Sequence, residues 1–210
     1  MYAGTRTALE AGDSRIHAVT LDVTDMRQIQ AAAERVPSLD VLINCAGVDL
    51  HDGLSERAGL ERHLAVNLFG TYGVTQVFLP LLARSRGAIV NVLSLAAVAP
   101  IPFTPAYSIS KAAALSLTQS LRTLWAGRGV RVHGIFAGTV DTDMTRGLDI
   151  PKASPDSVAR AIFDGVEKGE EDIFPDPLSG AVAEGWRAGI AKALERQFAA
   201  YVPASGAEAG

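Results

Sequence analysis

The amino-acid sequence predicts an α/β fold built on a doubly wound, parallel sheet. Two observations carry this. Short, almost continuous apolar runs recur along the chain, at residues 40–44 (DVLIN), 88–94 (AIVNVLS) and 130–136 (VRVHGIF). Longer stretches of helical pattern separate them. Strands that are apolar on both faces need cover on both, and βαβ crossovers place helices there. With 210 residues, 48% hydrophobic and 20% charged, the chain has the size and composition of one globular domain. That domain is expected over residues 1–202, with 203–210 as a frayed tail.

The elements follow in order. Residues 18–22 (AVTLD) read as a strand, and Thr24 as the N-cap of a short helix over 26–35. The strand at 40–44 ends in the small-residue turn Cys45-Ala46-Gly47. The polar stretch 49–57 leads into a long helix reaching Arg84. After the strand at 88–94 comes a second long helix over 105–127, then the strand at 130–136. A loop with Gly138, Gly147 and Pro151 precedes a helix over 156–168, a short strand at 172–174 and a last amphipathic helix over 181–201.

Charge narrows the class of partner. Nineteen Lys and Arg against 23 Asp and Glu give a net charge of −4. No basic stripe is available to displace counterions from nucleic acid. The single cysteine, Cys45, forms no intrachain disulfide and fits a reducing compartment. No apolar run reaches the roughly 18 to 20 residues of a membrane span, and no secretory signal is visible. A soluble, cytoplasmic protein is expected. The histidines His17, His51, His63 and His133 show no metal-ligand spacing, so no metal is expected.

In doubly wound sheets, ligands bind beyond the carboxyl ends of the strands. Asp22, residues 44–47, Ser94 and residues 137–142 fall there. The sharpest feature is Tyr107-Ser-Ile-Ser-Lys111 at the start of a helix. Spacing of four puts the phenol and the ammonium on one helix face. A nearby ammonium favours phenolate and lowers the tyrosine pKa toward a range useful for proton transfer. Ser94, at a strand end thirteen residues earlier, offers a hydroxyl to a substrate carbonyl. Asn67 lies inside a helix, a mildly unfavourable place for it.

Taken in order and spacing, these motifs resemble the short-chain dehydrogenase/reductase family, whose Rossmann-like sheet fits the predicted fold. Asn44-Cys45-Ala46-Gly47 is similar to the family's Asn-Asn-Ala-Gly motif, with Cys in the second place. Asn67, Ser94, Tyr107 and Lys111 match its catalytic Asn, Ser, Tyr and Lys. Ala137-Gly138-Thr139-Val140 with Thr142 resembles the Pro-Gly-x-Val-x-Thr stretch near the nicotinamide, and Asp22-Val23 the adenine contact. The similarity runs from residue 1 to about residue 180. By this resemblance Tyr107 gives a proton to the carbonyl oxygen as hydride arrives from the cofactor. Lys111 lowers the Tyr107 pKa and holds the nicotinamide ribose. Ser94 polarises the carbonyl, and Asn67 holds a water that relays protons to Lys111. Thr5 stands where NAD-preferring members carry an acidic residue, and Arg6 follows it, so NADP is the expected cofactor. The substrate would be a small carbonyl compound or alcohol. The two long helices match those that pair family members into dimers and tetramers.

One family feature is not found. Members begin with a strand and the turn Thr-Gly-x-x-x-Gly-x-Gly, whose backbone amides hold the pyrophosphate. Gly4 and Gly12 are not spaced for it. The expected sheet is therefore incomplete at the N-terminus by one βα unit, roughly 25 to 30 residues. Because that first strand is central, the strands at 1–6 and 18–22 would lose their sheet neighbour and leave open edges. The resemblance admits a misassigned start, a truncated chain, a shift of the N-terminal segment into the vacant strand position, or a cofactor-independent enzyme. The last would use Ser94, Tyr107 and Lys111 for cyclisation, isomerisation or elimination. A non-catalytic subunit of the same fold is the remaining reading. Other residues are assigned blander roles. Cys45 reads as a buried small residue, His51 as a surface-loop histidine, Trp125 and Trp186 as core or interface. Phe103 and Thr104 are expected to wall the substrate pocket, and Met144 and Leu148 to form part of a lid.

Overall fold

A computed structural model describes residues 1–7, 12–50 and 54–201. The elements alternate as expected: β1 (Tyr2–Thr5), β2 (His17–Thr20), α1 (Met26–Glu34), β3 (Val41–Asn44), α2 (Arg57–Leu64), α3 (Thr71–Ser85), β4 (Ala88–Val92), α4 (Pro105–Trp125), β5 (Arg131–Ile135), α5 (Pro155–Glu167) and β6 (Asp172–Ile173). Three short helices, α6 (Pro177–Gly180), α7 (Ala183–Ala188) and α8 (Ile190–Ala199), follow. The last two replace the single helix expected over 181–201. Gly189 is extended and breaks the run between α7 and α8. The cap of α1 also differs from expectation. Asp25 accepts from the Arg27 amide, while Thr24 donates its hydroxyl to Asp22.

All strand pairs are parallel, but the sheet is in two pieces. One has the order β1-β2 and the other β3-β4-β5-β6. β1 pairs with β2 alone and has not moved across to β3. Among the described residues, the facing edges of β1 and β3 share no backbone hydrogen bond. The two pieces are held together from one face. Val19 of β2, Ile29 and Ala32 of α1, and Val74 and Phe78 of α3 form one cluster, with Leu42 of β3 packed against it. Leu79 and Leu82 of α3 then meet Ile89, Val132 and Leu121 of α4 on the same face. On the other face, α5 covers Val90, Ile135 and Ile173 through Val166. Its cover stops at β4. Val41 and Ile43, on that same face of β3 by register with Ala88 and Val90, remain 37% and 42% exposed.

Arg57–Ser85 is one continuous helical stretch of 29 residues, long and apolar enough to cross a membrane by length and composition. This departs from the expectation that no segment qualifies. Its apolar residues Val74, Phe78, Leu79 and Leu82 are core contacts with the sheet and its helices.

The C-terminal helices are fastened by charge. Asp172, buried at the start of β6, accepts from Arg122 of α4 at 2.8 Å and from the Trp186 indole at 2.8 Å, and faces Lys192 of α8 at 2.8 Å. Glu195 binds Arg122 and Lys192 as well. Trp186 also packs on Phe136, ring centroids 5.0 Å apart. Burial alone would raise the Asp172 pKa; Arg122 and the bonds from Lys192 and Trp186 outweigh it and hold the carboxyl below its ordinary value. A carboxylate with a depressed folded-state pKa stabilises the fold above its unfolded pKa and loses that contribution as pH falls. Asp172→Ala leaves two buried cations with one of their two shared carboxylates and is expected to lower stability by ~3 kcal/mol in urea unfolding at pH 7. The gap between variant and wild type should close below about pH 4, where the unfolded carboxyl protonates.

Candidate functional site

The carboxyl end of β3 continues into Cys45, Ala46, Gly47 and Val48. Asn67 fixes this loop. Its Oδ1 accepts from the Val48 amide at 2.8 Å, and its Nδ2 donates to the Val48 carbonyl at 2.9 Å and to Ser110 Oγ of α4 at 2.8 Å. The helix supplies Asn67 from a π-helical turn, Ala65–Gly70, between α2 and α3. Such single turns widen the helix and often mark functional positions. The Asn67 side chain therefore clamps the loop onto α4.

Ser94 ends the β4 segment and caps a short turn by accepting from the Ala96 amide. Its hydroxyl is close enough to the Tyr107 phenol to lower that group's pKa. Pro105 opens α4 at its first turn, where a missing N–H is harmless, so Tyr107 and Lys111 come one turn apart. The Lys111 ammonium lies 5.6 Å from the Tyr107 ring centroid and donates to the Val92 carbonyl at 2.8 Å. A Cβ on Gly47 would stand 3.5 Å from Asn67 Oδ1 and 3.7 Å from Lys111 Nζ, so this turn lies directly over the pair. Asn67, Ser94, Tyr107, Lys111 and Gly47 are thus brought to one place.

The electrostatics differ from expectation. Burial pushes the Tyr107 phenol up to about 12; the Ser94 hydroxyl pulls it down in part, and the carboxylate of Asp49 raises it further. Burial pushes the Lys111 ammonium down to about 8. Desolvation dominates both groups, so the phenol lies above its ordinary value despite the ammonium over its ring.

The other candidates are placed around this centre or apart from it. Asn44 turns its side chain inward, to Thr75 Oγ1 at 3.0 Å and Asn91 Oδ1 at 2.8 Å, so only its backbone and the following Ala46 remain for a ligand. Gly138 follows β5; Asp176 accepts from its amide at 2.7 Å, and a Cβ there would stand 2.6 Å from the same carboxylate. Val140 makes a strand-like bridge to Ala153, and Thr142 forms a capping box with Thr145. Arg6 is exposed just after β1, near enough to Asp22 to lower its pKa, although the main cause is the bond from the Thr24 hydroxyl. Val23 packs on Gly70, where a Cβ would collide at 2.6 Å. Cys45 is exposed, against expectation, because β3 is an edge strand. Phe103 is exposed, whereas Thr104 is buried and spent on Asp49. His51 falls outside the described residues.

Sequence reading missed Asp49, His63 and Asp176. His63 is fully buried, with Nδ1 bonded to the Gly59 carbonyl at 2.8 Å and Nε2 accepting from the Leu50 amide at 3.1 Å. Its position four residues before Asn67 on the same helix face was the available signal.

The family model described as short chain dehydrogenase matches residues 3–152. The chain belongs to the short-chain dehydrogenase family. This member is 38% identical over 148 residues to galactitol 2-dehydrogenase (L-tagatose-forming) of Cereibacter sphaeroides, covering 67% of this chain and 58% of that protein. It is 33% identical over 169 residues to 2-(R)-hydroxypropyl-CoM dehydrogenase of Xanthobacter autotrophicus, covering 74% and 66%. The chain thus spans less than two thirds of either relative's length. A short chain dehydrogenase from Burkholderia cenocepacia, solved in complex with NADP, superposes with a TM-score of 0.84 at 31% identity, over 96% of this chain and 86% of that one.

The buried ammonium has a measurable consequence. A lysine whose folded-state pKa is lowered opposes folding below that value, and the opposition disappears as pH rises through the unfolded pKa. Lys111→Met is expected to raise stability at pH 7 by ~2 kcal/mol. Across pH 8 to 10.5, wild type should gain on the variant in denaturant unfolding.

Proposed function

We propose that the chain carries the catalytic centre of an NADP-dependent oxidoreductase interconverting a small carbonyl compound and its alcohol. The observation that carries this reading is the grouping of the Ser94 hydroxyl, the Tyr107 phenol and the Lys111 ammonium beyond the end of β4. The dehydrogenase names of its relatives, and the NADP held by the 31%-identical structure, support it.

Both ends of the site suit the dinucleotide. Arg6, exposed after β1, suits a 2′-phosphate through charge-assisted bonds. The amide-anchored Gly138 stretch and Lys111 suit the nicotinamide ribose. Between them, the described residues hold no glycine-rich turn opening a helix, and the pyrophosphate would need one at the end of a strand seated between β1 and β3. When bound, NADPH supplies hydride to the carbonyl carbon.

The chain's own residues do the rest. Ser94 donates to the carbonyl oxygen and polarises it. Tyr107, a phenol throughout the neutral range with a pKa of about 12, gives its proton to that oxygen as negative charge develops there. Lys111 stands behind the ring to repay the phenolate. The raised phenol pKa suits reduction, in which the resting group must hold its proton. No observation favours a cofactor-independent reaction.

The family's pairing of subunits is proposed here too. Phe69 in the π-turn, Tyr72 at the start of α3, and Ile109 of α4, which packs against the π-turn, are exposed apolar residues. They suit a homodimer or tetramer.

Tyr107→Phe should cut NADPH-dependent reduction about 10²- to 10⁴-fold while leaving NADPH binding, followed by fluorescence, within error of wild type. Arg6→Ala should weaken NADPH relative to NADH by roughly tenfold in the same titration; equal loss for both cofactors would exclude the 2′-phosphate contact. Phe69→Asp should shift the mass by light scattering from oligomer to monomer.

A further inference from the structure

We propose that Asp49 is the specificity-determining residue of the Tyr107 site. It selects substrates that carry a hydroxyl or ammonium group beside the reacting carbon, and it turns away those with a carboxylate or phosphate there. This inference rests on the oxidoreductase reading and names the substrate class for it.

The placement of Asp49 is fixed from two directions. It follows Val48, which Asn67 grips by both its amide and its carbonyl. Its Oδ1 accepts from Thr104 Oγ1 at 2.5 Å. Thr104 is the N-cap residue of α4, three positions before Tyr107, yet its side chain makes no cap bond to the helix. The hydroxyl is turned to Asp49 instead. Asp49 Oδ1 also lies 3.8 Å from His63 Nε2. That nitrogen accepts from the Leu50 amide, so the imidazole stands beside the carboxylate without donating to it. The His63 ring meets the Tyr107 ring edge-on, centroids 6.5 Å apart.

The Asp49 charge reaches the reacting hydroxyl. Among the described residues, the polar groups around Tyr107 are the Ser94 hydroxyl, the Lys111 ammonium over the ring, the His63 imidazole and the Asp49 carboxylate. Lys111 is directed to Val92. The Asp49 carboxylate favours the protonated phenol, opposite in sign to the ammonium over the ring. A carbonyl oxygen accepting from Tyr107 places its neighbouring carbon within the same field. A carboxylate has about four acceptor positions, and a hydroxyl or ammonium beside the carbonyl would gain a charge-assisted bond. A second anion would meet like charge, the repulsive element that specificity commonly needs. The Asp49 side chain is 10% exposed, so an incoming ligand can touch it.

Hydroxyacetone and pyruvate separate these outcomes, since they differ chiefly in an alcohol against a carboxylate beside the ketone. The four tyrosines are labelled with ¹³C at Cζ, and the Tyr107 resonance is assigned with Tyr107→Phe. Hydroxyacetone should move that resonance at a concentration about tenfold below pyruvate. Asp49→Asn, which keeps an oxygen for Thr104, should bring the two within about threefold, and Asp49→Glu should restore the preference. Equal response in wild type, an unchanged ratio in Asp49→Asn, or no response to either probe would overturn the proposal. NADPH oxidation with hydroxyacetone is followed separately on the same sample. Its absence would count against the oxidoreductase reading and leave the resonance ratios to judge Asp49.

Discussion

The site depends on one amide side chain. Asn67 holds Val48 by both backbone groups and Ser110 by its hydroxyl. Remove it, and the loop after β3 loses its attachment to α4. Gly47 would no longer lie over Lys111, and Asp49 would no longer be carried to Thr104. The π-turn is the means by which a helix interior presents an amide sideways to a loop. A buried polar network is stable only when its members are satisfied together, and this amide meets its partners with both ends. The local distortion of the helix is the cost of that fit.

Around this clamp, burial works against charge. The phenol and the ammonium are both driven toward their neutral forms, one to about 12 and the other to about 8. Exclusion of water thus holds the phenol protonated and makes the ammonium easier to neutralise. The charge cluster at Asp172, Arg122 and Lys192 lies at the far end of α4 and behaves oppositely. There the ionised forms are held by complementary partners. One helix therefore bears a destabilised centre near its start and a stabilised one near its end, a common division between functional and structural sites.

Much of this was legible in the sequence. Continuous apolar strands fixed the parallel order, and the Tyr-x-x-x-Lys spacing located α4 and its reacting pair. The absence of a glycine-rich first turn anticipated the sheet's division between β1 and β3. What stayed hidden was set by three-dimensional partners. Asn67 read as a polar residue in a helix, because nothing local reveals the Val48 backbone opposite it. Lys111 was expected to lower the phenol pKa, because spacing gives proximity and not burial. Asp49 and His63 lie fourteen residues apart in an undistinguished stretch, and only folding sets them against Tyr107. The C-terminal helix was drawn too long because amphipathic pattern persists across Gly189, where the backbone turns extended.

The opening between β1 and β3 has a mechanical meaning. No backbone hydrogen bond among the described residues crosses it, so β1 and β2 are tied to the larger sheet only by side-chain packing through α1 and α3. Side-chain contacts slide more readily than ladder bonds break. The piece bearing Arg6 and Asp22 and the piece bearing Tyr107 and Lys111 therefore meet, among the described residues, through apolar side chains. Val19, Ile29 and Phe78 are the contacts through which the placement of one piece bears on the other.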